Sequence, residues 1–327
     1  MITRRRLIAA SATAALTPGL LAHAQTRDGS WPSRHVRLIV PFPPGGGTDA
    51  VGRILSARLA EIWGQQMVIE NRGGGGSNVG NEAAARSQPD GYTILFAAFP
   101  FATNQFLYSK LPYDPIADFA PITLIGTFPN ILVVPNTSPA KSVSEFVAYA
   151  KANRGDITFG SSGIGTSPHL NGELFKRMTG IEMTHVPYRG AGPAITDLIP
   201  GRLTMMFNTS GSLMPHVKSG RLRALAVSSG KRFSAVPELP TVAESGVPDF
   251  DVSSWYGLLA PAKTPPAIVS KMNADAVNVL REPQIRQRLE GLGLEVAGST
   301  PGEFSAFIKA EMAKWGPVIK AANIIAQ

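Results

Sequence analysis

Val36-Arg37-Leu38-Ile39-Val40-Pro41-Phe42-Pro43-Pro44-Gly45-Gly46-Gly47-Thr48-Asp49-Ala50-Val51 is the stretch on which the fold turns. Its first five residues form a short apolar run, the pattern of a buried strand. Its last residues open a series (Val51, Ile54, Leu55, Leu59 and Ile62) that recurs at helical spacing with polar residues between. Residues 41–47 between them form an irregular loop of prolines and glycines. Thr48 is placed to cap the helix, and Asp49 to favour its first turn. Downstream, residues 67–69 suit a second strand. The glycine run 73–76 leads into a short helix at 78–86, and Pro89-Asp90-Gly91 turns the chain into a third strand at 92–97. This β-α-β-α-β rhythm predicts a parallel sheet with helices on both faces.

The rhythm continues. Strands are expected at 132–134, 157–159, 183–186, 204–207, 223–227 and 255–260. Ser142-Val143-Ser144-Glu145 has the form of a capping box opening a helix to about residue 152. Pro168 suits a first helical turn, followed by Leu170, Leu174, Phe175 and Met178 on one face. A short helix is expected at 191–198. The tail is helical, with Thr300-Pro301-Gly302-Glu303 as a second capping box.

The beginning of the chain carries a different signal. Arg4-Arg5-Arg6 precedes an apolar run at 7–21, broken by Pro18 and Gly19, and Ala22-His23-Ala24 supplies a cleavage pattern. Together these describe a secretory signal peptide with the mature chain starting at Gln25; the run is too short and too broken to span a membrane. Thr3-Arg4-Arg5-Arg6-Leu7 also resembles a twin-arginine export signal. Removing 24 residues from 327 leaves 303, beyond the size at which one core usually keeps growing, so two lobes are expected. Three of the eight units of positive charge belong to the signal, leaving +5 spread along the chain. With no basic block after the signal, nucleic acid is not an expected partner, whereas a diffuse positive field suits anionic solutes. The absence of cysteine excludes disulfides, thiol catalysis and thiolate metal sites.

Three loops could carry chemistry. Gly45-Gly46-Gly47-Thr48-Asp49-Ala50 fits G-x-G-x-x-A between a strand and a helix, with Glu70 about 20 residues on, as in a dinucleotide-binding oxidoreductase. Export away from the cytosolic NAD pool, the stretched turn at Pro43-Pro44 and the ordinary strand end Glu70-Asn71-Arg72 count against that reading. The same glycines also let backbone N–H groups approach an anion at a helix N-terminus. Gly160-Ser161-Ser162-Gly163-Ile164-Gly165-Thr166 repeats this design, and Tyr188-Arg189-Gly190-Ala191-Gly192-Pro193 does so a third time. Enzyme signatures are scarce. Ser138-Pro139-Ala140-Lys141 matches S-x-x-K without its partner motifs, there is no H-E-x-x-H, and His169 and His185 are too far apart for a local metal motif. No catalytic residue, metal or cofactor is therefore expected.

At these loops the chain resembles the Bug-type solute receptors of tripartite tricarboxylate transporters, over essentially the whole mature sequence. The marks are Val40-Pro41-Phe42-Pro43-Pro44-Gly45-Gly46-Gly47-Thr48-Asp49, Glu70-Asn71-Arg72, Pro89-Asp90-Gly91-Tyr92-Thr93 and His169-Leu170. Further marks are His185-Val186-Pro187-Tyr188-Arg189-Gly190, Pro240-Thr241-Val242-Ala243-Glu244 and Trp255-Tyr256-Gly257-Leu258. The resemblance implies an α/β, two-lobed periplasmic receptor that closes on a small carboxylate and works with a separate membrane permease. It also implies that loop backbone, hydroxyls and waters hold the ligand. The expected lobes are 25–127 with 254–327, and 128–253. The candidate ligand-binding residues are Phe42, Gly46, Thr48 and Asp49; Ser161, Gly163, Thr166 and His169; Tyr188, Arg189, Gly190 and Ala191; and Asn208. Asn208 stands near a position that is often acidic in the family, and Gly73 where a proline often follows the arginine.

Overall fold

The computed structural model describes residues 31–326. The predicted signal peptide and Gln25 lie outside that range. Strand β1 (Val36–Val40) leads into α1 (Gly47–Trp63), β2 (Met67–Asn71), a 3-10 turn (Gly75–Ser77) and α2 (Asn78–Ala85). Then come β3 (Thr93–Ala98), α3 (Pro100–Leu107), the 17-residue β4 (Phe119–Pro135), α4 (Val143–Ala152), β5 (Thr158–Ser161) and α5 (Ser167–Thr179). The chain continues through β6 (Thr184–Pro187), α6 (Ala191–Leu198), β7 (Met205–Thr209), α7 (Ser210–Lys218), β8 (Leu222–Val227) and β9 (Ser253–Pro261). It ends with α8 (Pro266–Arg281), α9 (Pro283–Gly291), β10 (Glu295–Val296) and α10 (Pro301–Ala321). Among these helices none is long and apolar enough to cross a membrane.

The strands run in the order β2-β1-β3-β9-β4-β7-β5-β6, with β8 and β10 also pairing β4. The outer pairs are parallel, as the β-α-β rhythm predicts: β2 and β3 on β1, β6 and β7 on β5. The centre is antiparallel, which the rhythm does not predict. β9 returns against both β3 and β4, and β7 and β8 run against β4. β4 belongs to both halves. Its residues from Phe119 to Pro129 pair with β9, and those from Asn130 onward pair with β7 and β8. Only 132–134 of this strand were expected, because Pro121, Gly126 and Pro129 interrupt the pattern by which a strand is recognised. The two register shifts between Pro121 and Gly126 show how the ladder absorbs the interruption.

Packing follows the strands. On the β1-β3-β9 half, Trp255 meets Phe304 edge-on at 5.7 Å, and Trp315 meets Phe99 at 5.2 Å. On the other half Phe175, Phe207 and Phe250 cluster within 6.1 Å of one another. All seven rings are buried, and each contributes about 1.5–3 kcal/mol over an exposed position.

Local signals differ in detail from the sequence pattern. The cap of α1 is Gly46, not Thr48: α1 begins at Gly47, and Thr48 sits inside the first turn. Ser142 does accept from the Glu145 N–H, but the Glu145 carboxylate reaches back to Lys141 N at 2.8 Å, so that capping box is half made. At Thr300 the box is complete. Helices α3 and α7 were not anticipated. Proline opens the first and lies inside the second, and Ser210-Gly211-Ser212 is a weak helix start.

Candidate ligand-binding cleft

Five helices (α1, α3, α5, α6 and α7) each begin where a strand ends, after β1, β3, β5, β6 and β7. Their starts meet at one cleft of about 700 Å³, lined by Gly47, Pro100, Ser167, Ala191 and Gly211 among others. Phe128 of β4 and Ser254, Trp255 and Tyr256 of β9 form the part where the halves cross. The first turn of a helix leaves N–H groups without intrahelical partners and carries partial positive charge. Five such ends on one cleft suit an anion. Among the described residues, Arg189 is the only charged side chain lining the cleft. It is exposed there.

Of the sequence-predicted residues, Phe42, Gly46, Thr48, Thr166, Arg189, Gly190, Ala191 and Asn208 line the cleft. Asp49, Ser161, Gly163, His169 and Tyr188 stand behind its wall, and their contacts show what they do there.

Asp49 is buried and anchors the loop 41–46 from within. Its carboxylate accepts from Gly45 N at 3.1 Å, from Arg53 Nε and Nη2 at 2.9 and 3.1 Å, and from Asn71 Nδ2 at 3.1 Å. Asn71 also donates to the Phe42 carbonyl at 3.1 Å, tying the strand end to the loop. The hydrogen bond from Arg53 holds the Asp49 carboxyl below its ordinary range, against the opposing effect of burial.

The second loop is held by neutral groups. Ser161 Oγ lies 2.6 Å from His185 Nε2 and accepts from Gly163 N at 3.1 Å. The Gly165 N–H donates to His169 Nδ1 at 3.1 Å, which puts the proton of the neutral ring on Nε2. The two imidazoles stack with centroids 3.7 Å apart, and Phe159 lies 4.9 Å from His185. Burial first, then His185 and Lys176, brings His169 down to about 3; burial and Lys176 bring His185 down to about 4. Thr166 Oγ1 donates to the Gly163 carbonyl at 2.7 Å rather than pointing free into the cleft. Gly165, at φ +77°, is pressed against α3: a Cβ there would come within 2.3 Å of Leu107 Cδ1.

In the third loop Tyr188 donates to Asp197 at 2.8 Å, and Arg202 donates to the same carboxylate at 2.8 Å. This fixes the approach to Arg189, Gly190 and Ala191. Burial, then Asp197, raises the Tyr188 hydroxyl above its ordinary value. Asn208 donates to Ser162 Oγ at 3.2 Å, joining the end of β7 to the second loop.

Several lining residues were not singled out from the sequence: Phe99 and Pro100, Phe128, Ser254, and Leu292 and Leu294. Trp255 and Tyr256 were legible as a motif but not as cleft residues. Leu292 and Leu294 follow α9 and give no sequence signal of a site. Glu70, the acidic residue of the apparent dinucleotide fingerprint, is engaged by Arg37 at 3.3 Å and Arg72 at 2.7 Å.

The family model described as the tripartite tricarboxylate transporter family receptor matches residues 51–324. Protein BugT of Bordetella pertussis is 33% identical over 317 residues, covering 96% of this chain and 97% of its own. Rpa4515 of R. palustris, solved with adipate, superposes with a TM-score of 0.85 at 37% identity, over 90% of this chain and 99% of the other. The periplasmic binding protein BugD does so with a TM-score of 0.81 at 34% identity, over 91% and 100%. The fold is therefore the two-lobed α/β fold of periplasmic binding proteins, and the chain belongs to the tripartite tricarboxylate transporter receptor family.

Proposed function

We propose that this chain is an exported solute receptor that binds a small carboxylate in the cleft and hands it to the membrane permease of a tripartite tricarboxylate transporter. The observation that carries the reading is the composition of the cleft: five helix starts, one arginine and no carboxylate side chain among its described lining residues. Such a site favours an anion and offers no evident acid, base or nucleophile for chemistry on it. The structure solved with adipate is that of a relative at 37% identity, which supports the class of ligand.

In this reading the lobes are residues 25–127 with 254–327, and 128–253, and the crossings in β4 and at the start of β9 act as the hinge. Closure replaces the water around the bound anion with fixed dipoles and creates the form a permease recognises. Residues 1–24 direct export and are removed. N-terminal sequencing of periplasmic material should begin at Gln25, and an intact Met1 would overturn this step. The hydroxyl of Thr48 and the backbone N–H groups of Gly46 and Gly190 reach the ligand; Thr166, its hydroxyl turned to the Gly163 carbonyl, lines the cleft, and Asp49, Ser161, His169 and Tyr188 shape the loops.

A thermal-shift screen tests the function. A panel of adipate, malate, hexanoate and benzoate should contain at least one stabilising ligand, worth about 2.7 kcal/mol at a hundredfold excess over Kd. NAD and NADP should not stabilise. Stabilisation by NAD or NADP alone would overturn the receptor reading in favour of a nucleotide-dependent enzyme.

A further inference from the structure

The cleft has one stretch of wall that does not look like an anion site. The turn Leu292-Gly293-Leu294, between α9 and β10, brings two leucine side chains to a cleft otherwise dominated by loop backbone, hydroxyls and rings. The turn is held firmly. Gly293 and Leu294 donate back into the end of α9 at 2.8 and 3.1 Å, and the next two residues pair with β4 through Glu295–Thr127 and Val296–Gly126. Gly293, at φ +88°, lies so close to the start of α7 that a Cβ would fall 2.2 Å from Ser210 Oγ. Leu294 is buried, whereas Leu292 is 38% exposed. Val51, in the second turn of α1, lines the same cleft.

Strand order sets this wall apart from the charge. Arg189 follows β6, which lies two strands from β7, and the leucine turn packs on the helix that follows β7. Arg189 and the leucine turn therefore reach the cleft from different strands of the sheet. A carboxylate placed against Leu292 and Leu294 would meet the start of α7 but no charged side chain, while methylene or ring carbons against the two leucines would gain by leaving water.

We infer that the cleft takes a monocarboxylate with an apolar body, its carboxylate at the Arg189 and α6 end and its aliphatic chain or ring against Leu292 and Leu294. This rests on the receptor reading and specifies its ligand. A compact hydroxylated diacid fits worse, because its second charged group and its hydroxyl would meet the leucines.

Calorimetric titration of the full mature chain with hexanoate, benzoate, adipate and malate tests the inference. Hexanoate and benzoate should bind about tenfold or more tighter than malate, the worth of roughly two buried methylene groups. Hexanoate should also bind tighter than adipate, which has the same chain length and a second carboxylate. Leu292→Asn alters an exposed side chain and should leave the melting temperature nearly unchanged. It should weaken hexanoate about tenfold and leave malate within twofold. Malate or adipate binding tighter than hexanoate, or Leu292→Asn weakening hexanoate and malate equally, would overturn the ligand class and leave the receptor reading intact. A folded chain that binds none of the four acids would sink both.

Discussion

The two glycine loops that line the cleft after β1 and β5 share a design and differ in what stands behind them. Each follows the end of a parallel strand, and each carries its glycines just before a helix start. Behind the loop 41–46 is a charged cluster, with Asp49 bound by Arg53, Asn71 and Gly45 N. Behind the loop 162–166 is a neutral one, with Ser161 and the stacked imidazoles of His169 and His185, and the loop is wedged against Leu107 of α3. The contrast teaches that an anion-binding loop needs its N–H groups aimed but does not prescribe how. A buried carboxylate can accept from the loop, or a buried imidazole can. The two solutions respond differently to mutation and to pH.

Among single substitutions, the largest effect should come from filling the space behind the second loop. Gly165→Ala puts a Cβ into Leu107 at a positive φ, and should lower stability by about 2–3 kcal/mol in denaturant melts. The matched change in the first loop, Gly45→Ala, meets open space at φ +88° and should cost only about 1 kcal/mol. Equal losses at both positions would erase the distinction between a wedged loop and a tethered one.

Asp49→Ala should cost about 2 kcal/mol, because it leaves Gly45 N and Asn71 without their acceptor. The figure is held down by Arg53, whose side chain is 58% exposed and regains water. Ligand affinity should fall with it, since the loop loses its tether. A loss in stability with unchanged affinity would separate the loop's shape from binding.

The pH response sharpens the comparison. In the unfolded chain the imidazoles titrate near 6.5; in the folded chain they do so at about 3 for His169 and about 4 for His185. Between those values the unfolded chain binds more protons. The stability contribution of the second loop is therefore complete above about pH 6.5 and falls as pH drops toward 4, by up to about 1.4 kcal/mol per pH unit for each histidine. The Asp49 cluster has the same sign at lower pH: with its carboxyl held below the usual value of 3.8, its contribution declines only as pH falls through that range. Melting curves from pH 7 to 4 should show a slope that is smaller in a His169→Gln, His185→Gln double variant. A slope unchanged by the two substitutions would assign the acid sensitivity elsewhere.

Much of this was legible in residue patterns, and the exceptions have physical causes. Apolar runs at Val36–Val40 and the helical series from Val51 mark the outer β-α units, because those strands are buried on both faces and follow parallel connections. The long central strand and the antiparallel return of β9 were not legible. Pro121, Gly126 and Pro129 hide the one, and strand direction depends on which neighbour a segment finds rather than on its own pattern. At the site, glycines and hydroxyls pointed to loops that line one cleft, yet which of them turn into it depends on side-chain direction. Asp49 and Ser161 look like cleft residues, but they turn inward to hold backbone. Leu292 and Leu294 gave no warning, since an apolar pair after a helix looks like core.

In the proposed receptor, loop backbone and helix starts, rather than a side-chain cation, hold the ligand's carboxylate. Arg189→Gln tests it most directly, measured by calorimetry against the tightest binder among adipate, malate, hexanoate and benzoate, at low and high salt. Arg189 is exposed, so the account predicts a loss of about 1 kcal/mol, roughly fivefold in Kd, and a weaker salt dependence than in the parent chain. A loss of about a hundredfold or more in a variant that still folds would show a buried bidentate clamp and contradict the account.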